Sequence, residues 1–212
     1  MRTITKGDEP ASLVKHRATA HADYENYPDK DTLRSHLVRE QRGLCCYCLS
    51  RIRPTADTMK IEHWHGQDEF SGEQLDYSNL LGACLGDPRQ PDALQHCDTR
   101  KRNRLLTKNP ANPAQRIENL VRYEGDGRIV SDDTAFNGEL ETVLNLNTAF
   151  LKNNRKATLD AFRLMLEKRG GGLQRITLEK WLRDWNGESQ TSELQPFCMV
   201  VVYWLRKRLD RA

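Results

Sequence analysis

The spacing of apolar residues predicts one well-formed helix in the N-terminal part of the chain. Three apolar residues recur on one helical face: Leu33, Leu37 and Val38. Asp31 is a suitable N-cap, and Gly43 stands where the end of a helix is expected. The pattern therefore predicts a helix over 31–42 that leads directly to Cys45, and 11–24 has room for a second helix.

In the middle of the chain, apolar and polar residues alternate over much shorter distances. Met59 and Ile61 alternate with polar neighbours, as in a short strand, and 78–84 is a second short strand or a turn. A polar loop over 66–78 lies between them. Good helix formers fill 97–106. The pattern predicts strand, loop, strand and helix in that order.

Helical patterns fill most of the last third of the chain. They predict helices over 148–168, 173–184 and 194–210, separated by the glycines at 170–172 and by an Asn-Gly pair. A short hairpin around a Gly-Asp-Gly sequence precedes them. Within the last helix, 197–205 is apolar without interruption, which favours a fully buried helix over one that docks on a partner.

Composition indicates a soluble protein with a modest core. The chain has 212 residues, of which 37% are hydrophobic and 30% charged, enough for one large domain or for a small catalytic core with appendages. No stretch has the roughly 18 consecutive apolar residues of a membrane span. The N-terminus lacks the apolar segment of a signal peptide. We therefore expect a cytoplasmic protein with no membrane partner.

Basic charge is local and not spread over the whole chain. The formal net charge is only +3. One basic cluster consists of Arg100, Lys101, Arg102, Arg104 and Lys108, and a second of Arg206, Lys207, Arg208 and Arg211. Such clusters contact phosphates or are simply solvated helix faces. The two interpretations are balanced for the first cluster, and the solvated face is favoured for the second.

Cysteine spacing suggests a metal site. In a reducing compartment the six cysteines are better explained by metal or by burial than by disulfides. Cys45 and Cys48 have the spacing of a zinc knuckle, without the context of a thioredoxin-like motif. Cys84 and Cys97 are the expected second pair, although His96 could replace one of them. The remaining cysteines, Cys46 and Cys198, fit burial as small apolar residues.

An acidic residue and a histidine next to each other suggest phosphodiester hydrolysis. That reaction requires a base that activates water and a cation that stabilises charge on the phosphate. His63 is a candidate base, and Glu62 and Asp98 are candidate ligands of Mg²⁺. Adjacent strand residues point to opposite faces, so Glu62 and His63 share a site only if a loop wraps back over the strand end. Asn79 could fix the His63 ring through the 66–78 loop.

Each of these residues also has a structural interpretation. Glu62 could be solvated, His63 structural, Asn79 turn-forming and Asp98 an N-cap. Taken singly, each structural role is favoured over a functional one. The order of all four around the cysteine set favours function.

This order resembles the HNH endonuclease motif, a zinc-stapled ββα-metal fold. The matching positions are Cys45-x-x-Cys48, Glu62-His63, Asn79-Leu80, Cys84 and Cys97-Asp98-x-x-Lys101. More specifically, the chain resembles PtuB, the HNH nuclease subunit of Septu-type anti-phage systems, which also occurs in retron defence operons. Segments outside the core match too: Lys6-Gly7-Asp8-Glu9-Pro10, Glu40-Gln41-Arg42-Gly43-Leu44, and Leu144-Asn145-Leu146-Asn147 with Leu151 and Arg155.

The resemblance implies a role for each matching residue. His63 would be the general base, Asn79 the orienting residue, and Glu62 and Asp98 the ligands of Mg²⁺ or Mn²⁺. Zinc would be bound by Cys45, Cys48, Cys84 and Cys97. Glu62 stands where many HNH enzymes have Asp, and Asp98 where many have His, which suits a hard cation.

Further residues are candidates for contact with the substrate. His65 and His96 could contact the phosphate or protonate the leaving group. Four basic residues would hold the nucleic-acid backbone without reading its sequence: Arg100, Lys101, Arg102 and Arg104. Nothing in the sequence distinguishes DNA from RNA or tRNA as the substrate.

The expected fold is α+β, a mainly helical chain around the zinc-stapled HNH core. Three units are predicted: an N-terminal helical segment over 1–44, the nuclease core over 45–113, and a C-terminal hairpin and helical region over 114–212. The resemblance implies an ABC/SMC-like ATPase partner and, in retron operons, a reverse transcriptase with its noncoding RNA and DNA. We expect the ATPase to contact 197–205 and 132–168.

Two other functions are compatible with the sequence. A zinc module that binds nucleic acid or a protein partner without cleavage would keep the cysteines and lack metal-dependent cutting. A redox or zinc-sensing protein would show thiol-dependent behaviour and would be indifferent to His63→Ala.

Overall fold

A computed structural model describes residues 1–169, 174–189 and 193–211 of the chain. Its helices are α1 (Ala11–Arg17), α2 (Lys30–Glu40), α3 (Cys97–Lys101), α4 (Thr134–Gly138), α5 (Ala149–Arg169), α6 (Arg175–Asn186) and α7 (Cys198–Leu209). Its strands are β1 (Met59–His63), β2 (Leu80–Cys84), β3 (Arg122–Tyr123) and β4 (Ile129–Val130). The predicted α+β class is confirmed. The predicted glycine break at 170–172 and the predicted helix start at Leu173 lie outside the described residues.

Helix α2 forms as predicted, but its N-cap is Asp29 and not Asp31. The Asp29 side chain accepts a hydrogen bond from the backbone N–H of Thr32 at 3.4 Å. Asp31 lies inside the first turn, where it pairs with Arg34. At the other end, Gly43 donates its N–H to the carbonyl of Val38 at 2.8 Å and has φ +76°, so it ends the helix as expected. The chain then enters the tight segment between α2 and β1 that carries Cys45 and Cys48, called the knuckle below.

β1 and β2 form an antiparallel pair, with Met59 opposite Cys84 and His63 opposite Leu80. This register places the β1 end that carries Glu62 and His63 beside the start of β2, directly after Asn79. Gly82 allows the close packing here, because an added Cβ would lie 3.0 Å from the side chain of Ile52. The small β3–β4 hairpin lies in the predicted place.

Three helices are shorter than predicted. α1 ends at Arg17, α7 begins at Cys198, and α3 ends at Lys101 because Arg102 adopts a left-handed conformation with φ +54°. A break of this kind at a residue other than glycine has no sequence signal. The described residues also include α4, a π-helical segment over Glu139–Val143 that follows it, and four short 3-10 segments over Ser71–Glu73, Tyr77–Asn79, Pro113–Gln115 and Ile117–Asn119.

One hydrophobic core contains residues from all three predicted units, from Ile4 near the N-terminus to Leu205 on α7. Four of the cysteines, Cys45, Cys48, Cys84 and Cys97, belong to this core. A smaller core packs α1 and α2 against the loop before β2, and consists of Leu13, Tyr27, Leu33, Leu37, Leu75, Tyr77 and Leu80.

Helix α7 is buried, as the uninterrupted apolar sequence predicts. Six of its side chains have at most 2% exposure: Cys198, Met199, Val200, Val201, Val202 and Leu205. These side chains already fill the core. Within 197–205, Tyr203 and Trp204 are the residues that remain partly exposed, and the expected contact with an ATPase stays a prediction. No helix in the part of the chain that the structure describes combines the length and apolarity needed to cross a membrane.

Candidate active site and metal centre

The knuckle between α2 and β1 brings Cys45 and Cys48 together. Leu44 and Arg51 pair across its base in an isolated antiparallel bridge. Cys45 donates its N–H to the carbonyl of Ser50 at 2.9 Å, and Leu49 donates to the carbonyl of Cys45 at 3.2 Å. These bonds fold the knuckle so that both thiols face the same side.

Four thiols converge at this point. The sulfur atoms of Cys45, Cys48, Cys84 and Cys97 all lie within 4.8 Å of one another, and all four residues are buried. The Cys45–Cys97 distance is 3.9 Å and the Cys48–Cys84 distance 3.6 Å. Tetrahedral zinc with bonds of about 2.3 Å to sulfur requires sulfur atoms about 3.8 Å apart. The thiols therefore fit a structural zinc ion, as predicted, and zinc would supply folding energy and not reaction chemistry.

The electrostatics of the thiols also suit a cation. Burial raises the pKa of Cys97 well above its usual range. Burial acts in the same direction on Cys45, but hydrogen bonds from the other thiols lower its pKa well below the usual range. Four buried thiols this close together favour a bound cation that neutralises their negative charge when they ionise.

The segment Leu144-Asn145-Leu146-Asn147 braces the last of these ligands. Cys97 has φ +56°, a strained conformation, and its N–H donates to the carbonyl of Leu144 at 2.9 Å. Asn145 donates to the carbonyls of Ala93 and Gln95, at 3.0 and 2.8 Å, and so holds the loop before Cys97. Through these contacts, a segment far from the cysteines in sequence supports Cys97 and the loop before it.

His96 belongs to the metal centre and not to the cleft. Its Nδ1 lies 3.2 Å from the sulfur of Cys97, and its Nε2 lies 3.5 Å from Oδ2 of Asp87. Only 3% of His96 is exposed, so the prediction that it contacts a phosphate is wrong. Cys46 and Cys198 are buried free thiols, as predicted, and lie outside the four-thiol cluster.

A cleft of about 350 Å³ lies where β1 ends. It is lined by Ile61, Glu62, His63, Gly66, Gln67, Asp68, Asp98, Arg102 and Asn103. The structure thus brings together three of the four predicted catalytic residues, because the loop after β1 turns back over the strand end. Gly66 makes that turn possible: an added Cβ would lie 2.8 Å from Oδ1 and 3.0 Å from Cα of Asn103.

The ring of His63 is held in one orientation. Its Nε2 lies 3.0 Å from the carbonyl oxygen of Gln74, which can only accept, so Nε2 carries the proton. Nδ1 is then the basic nitrogen. It accepts from the side-chain amide of Gln67, 3.0 Å away and itself part of the cleft lining. Burial lowers the pKa of His63, which keeps the ring neutral at pH 7.

Tyr24 packs against this ring from outside the HNH-like segment. The ring centroids are 4.5 Å apart at an interplanar angle of 88°. Burial raises the pKa of Tyr24 to about 12, so its hydroxyl is neutral. The edge-to-face contact helps to hold the His63 ring in place.

Asn79 fastens the loop and does not touch the His63 ring. Its Oδ1 accepts from the N–H of His65 at 2.7 Å. Its Nδ2 donates to the carbonyls of His65 and Glu73, at 3.1 and 3.3 Å. Because Glu73 precedes the residue whose carbonyl holds His63, Asn79 positions the His63 ring through the loop.

Glu62 is buried and anchored through one oxygen. Its Oε1 accepts from the Tyr47 hydroxyl at 2.7 Å and lies 2.9 Å from Nζ of Lys101. Burial raises the pKa of Glu62 well above its usual range, and the neighbouring Asp98 raises it further. Two carboxylates this close require a shared proton or a cation between them. Glu62 and Asp98 therefore fit a divalent ion.

Asp98 lies in the first turn of α3, where Cys97 fixes its position. Nζ of Lys60 lies 3.3 Å from Oδ2 of Asp98 and donates to the Thr99 hydroxyl at 2.7 Å. Asp98 is partly exposed in the cleft, whereas Glu62 is not. The two carboxylates thus reach the cleft from α3 and from β1, and both elements lie next to the four-thiol cluster.

Of the four basic residues predicted to hold the substrate, only Arg102 lines the cleft. Lys101 is fully buried against Glu62, so the prediction that it contacts phosphate is wrong. Arg104 donates to backbone carbonyls, including Val143 at 3.0 Å. Arg100 donates to the carbonyl of Asp92 at 3.1 Å. Arg100 and Arg104 therefore support the backbone through these bonds and do not line the cleft.

His65 is likewise placed away from the cleft lining. Its Nδ1 lies 2.7 Å from Oε2 of Glu73, and its ring stacks on Phe70 at 4.2 Å. These contacts stiffen the loop after β1. The cleft residues that sequence reasoning missed are Gln67, Asp68 and Asn103, and the supports it missed are Tyr24, Tyr47 and Lys60. For Gln67 and Asp68, the one available signal in the sequence was their place in the polar loop directly after a strand end.

A scan against protein-family models and a search of curated proteins find no match for this chain.

Proposed function

We propose that the chain is a metal-dependent HNH-type endonuclease that hydrolyses phosphodiester bonds in nucleic acid. The observation that carries the proposal is the shared cleft of Glu62, His63 and Asp98, held beside the four-thiol cluster. A neutral imidazole with an unprotonated Nδ1 and a nearby pair of carboxylates are the groups that this hydrolysis requires.

His63 acts as the general base in this proposal. Its Nδ1 takes a proton from the attacking water while Nε2 stays bonded to the carbonyl of Gln74, so the ring keeps its orientation when it becomes charged. Gln67 occupies Nδ1 at 3.0 Å and gives way to water when substrate enters. Arg102 lines the cleft and pairs with the exposed Asp92 at 3.0 Å, and it would exchange this partner for a phosphate oxygen.

Glu62 and Asp98 would hold Mg²⁺ or Mn²⁺, which stabilises negative charge on the phosphate and the leaving oxygen. Lys101 and Tyr47 both bind Oε1 of Glu62, so Oε2 is the oxygen left for the cation. The four cysteines would hold zinc, which sets the position of Asp98 relative to β1.

The biological setting follows from the resemblance alone. We propose that the chain is the effector of an anti-phage defence complex with an ABC/SMC-like ATPase and, in a retron operon, a reverse transcriptase with its noncoding RNA and DNA. Co-purification of the tagged chain with products of its own operon tests this assignment. Recovery of the chain alone under gentle lysis would contradict it.

The deciding experiment is cleavage of labelled duplex DNA, single-stranded DNA and bulk tRNA with Mg²⁺ or Mn²⁺, with and without the ATPase. His63→Ala should abolish cutting, whereas His36→Ala on the surface of α2 should not. Loss of cutting on chelation of the divalent ion is also expected. No cutting by zinc-loaded protein under any of these conditions would favour the non-catalytic zinc module. Equal cutting by His63→Ala and wild type would exclude His63 as the base.

A further inference from the structure

A second groove lies on the C-terminal helices. Its volume is about 230 Å³, and it is lined by Arg163, Trp204, Lys207, Arg208 and Arg211. The lining thus consists of four cationic side chains and one aromatic ring. The cleft residues belong to the segment from β1 to just after α3, so the two sites share no residue.

The lining residues face one another because of helical spacing. Trp204, Lys207 and Arg208 stand three and four positions apart on α7 and share one face of that helix. Arg211 follows one turn later, and Arg163 comes from α5, which packs against α7. The groove is therefore formed by two packed helices and has rigid walls.

The charges in this groove are largely uncompensated. Lys207, Arg208 and Arg211 are exposed, and the structure gives them no acidic partner among the residues it describes. Arg163 has only a distant pair, 3.9 Å to Asp160. By contrast, Arg206 on the neighbouring face bonds Asn119. Unpaired cations gathered around one groove attract an anionic ligand.

Trp204 supplies a fixed aromatic surface among these charges. Its inner side packs edge-to-face on buried Phe162, with ring centroids 5.9 Å apart. The guanidinium of Arg163 lies 5.8 Å from its ring centroid. The ring is only half-buried and lines the groove. A fixed ring flanked by cations is the arrangement on which bases of single strands stack.

We propose that this groove binds a single-stranded segment of nucleic acid. Its phosphates contact Lys207, Arg208 and Arg211, and a base stacks on Trp204. An acidic peptide would use the same charges but would not require the ring, which is why nucleic acid is favoured. The proposal concerns binding and does not depend on the cleavage proposed for the cleft.

Fluorescence anisotropy with a labelled oligothymidylate of about 16 nucleotides tests the charges. The full-length His63→Ala protein, without added Mg²⁺, serves as the uncut background. The variant carries Lys207→Glu, Arg208→Glu and Arg211→Glu. Its matched control carries the same charge changes at exposed residues elsewhere, Lys15→Glu, Arg89→Glu and Lys180→Glu.

The groove variant should raise Kd more than about tenfold over the matched control. Its plot of log K against log salt should lose about 2 units of slope, because each phosphate contact on a single strand contributes about 0.7. Equal affinity of the groove variant and the control overturns the proposal. Since binding is measured without cleavage, a failure here leaves the nuclease assignment untouched, and the converse also holds.

Two substitutions at Trp204 separate a nucleic acid from an acidic partner. Trp204→Leu keeps apolar contact with Phe162 but removes the stacking face, and should raise Kd roughly 5- to 100-fold. Trp204→Tyr should retain binding while the quenching of tryptophan fluorescence by the oligonucleotide is lost. Unchanged affinity in Trp204→Leu, or unchanged quenching in Trp204→Tyr, overturns the proposal and favours an acidic peptide. The Tyr variant keeps a ring in place, so the test stands even if Trp204→Leu misfolds.

Discussion

Nζ of Lys101 lies 2.9 Å from Oε1 of Glu62, and solvent reaches almost none of either side chain. Lys101 also donates to the carbonyls of His63 and Arg102, at 3.1 and 3.3 Å. An unpaired buried charge costs several kcal/mol, so each of these two groups depends on the other. The pair ties α3 to β1 and thereby fixes the distance between the two halves of the cleft.

Removal of one partner should therefore lower the free energy of unfolding much more than removal of both. We expect Lys101→Met to lower the free energy of unfolding by about 3–5 kcal/mol, because it leaves the Glu62 carboxylate buried without a cation. The double variant Lys101→Met, Glu62→Leu should recover most of that loss. Urea unfolding of the single and double variants measures both values.

A solvent-exposed ion pair provides the control for this comparison of single and double variants. Lys156 and Asp160 pair on the surface of α5 and are each about half exposed. Lys156→Met should change the free energy of unfolding by less than about 0.5 kcal/mol. If Lys101→Met were equally mild, the buried pair would not support the cleft.

Zinc should bind stoichiometrically and hold the cysteine-bearing segments together. We expect purified protein to contain about one zinc ion per chain, because the four thiols have tetrahedral spacing. Cys84→Ser should lower both zinc content and Tm, since three thiols bind zinc less well and the metal contributes directly to folding. Cys46→Ala should keep the zinc, because Cys46 lies outside the cluster. Zinc loss in both variants would contradict this ligand set.

The close approach of the loop to α3 can be tested with two glycines of the same loop. Gly66→Ala should shift the loop and reduce cleavage, with a cost of about 1–3 kcal/mol, because the new Cβ would meet Asn103. Gly72→Ala should be neutral, since nothing lies within 4 Å of its added Cβ. Thermal melts and cleavage rates of the two variants provide the comparison. Equal behaviour would mean that the loop is not held at Asn103.

Asn79 should matter through the loop that it fastens. Asn79→Ala removes three hydrogen bonds to the backbone of His65 and Glu73. Because these backbone groups are left unsatisfied, we expect a loss of about 1–3 kcal/mol in stability and a large loss of cleavage. Asn79→Asp keeps the acceptor for His65 but loses the donors, so it should fall between Ala and wild type.

Ser78→Ala is the matched control for Asn79, because the Ser78 hydroxyl bonds only the exposed side chain of Asp76. It should leave stability and cleavage close to wild type, as measured by the same melts and rates. A cleavage defect as large as that of Asn79→Ala would show that any change at this turn disturbs the site.

The cysteine set, α2 and the β1–β2 pair could be predicted because each has a local signal. Cys45 and Cys48 carry a recognisable spacing, and the apolar repeat of α2 fixes its buried face. Asp98 could be placed because it follows a ligand. In each case the relevant information lies within a few residues.

The cleft walls could not be predicted, because they depend on how distant segments pack. Lys101 looks like one member of a basic run, and only the rotation of α3 turns it inwards to Glu62. Tyr24 reaches His63 from before α2, and Gln67 reaches it from an irregular loop. The end of α3 depends on a left-handed Arg102, for which the sequence has no cue.

The backbone bonds between the knuckle and the chain before α7 have a consequence for synthesis. Phe197 donates its N–H to the carbonyl of Leu49 at 3.0 Å, and Leu194 donates to the carbonyl of Arg42 at 3.0 Å. A ribosome that has already produced every cleft residue has not yet made the helix that covers the back of the knuckle. The growing chain can thus bring its four thiols together early, but the knuckle that carries Cys45 and Cys48 gains these two bonds only when translation has reached α7.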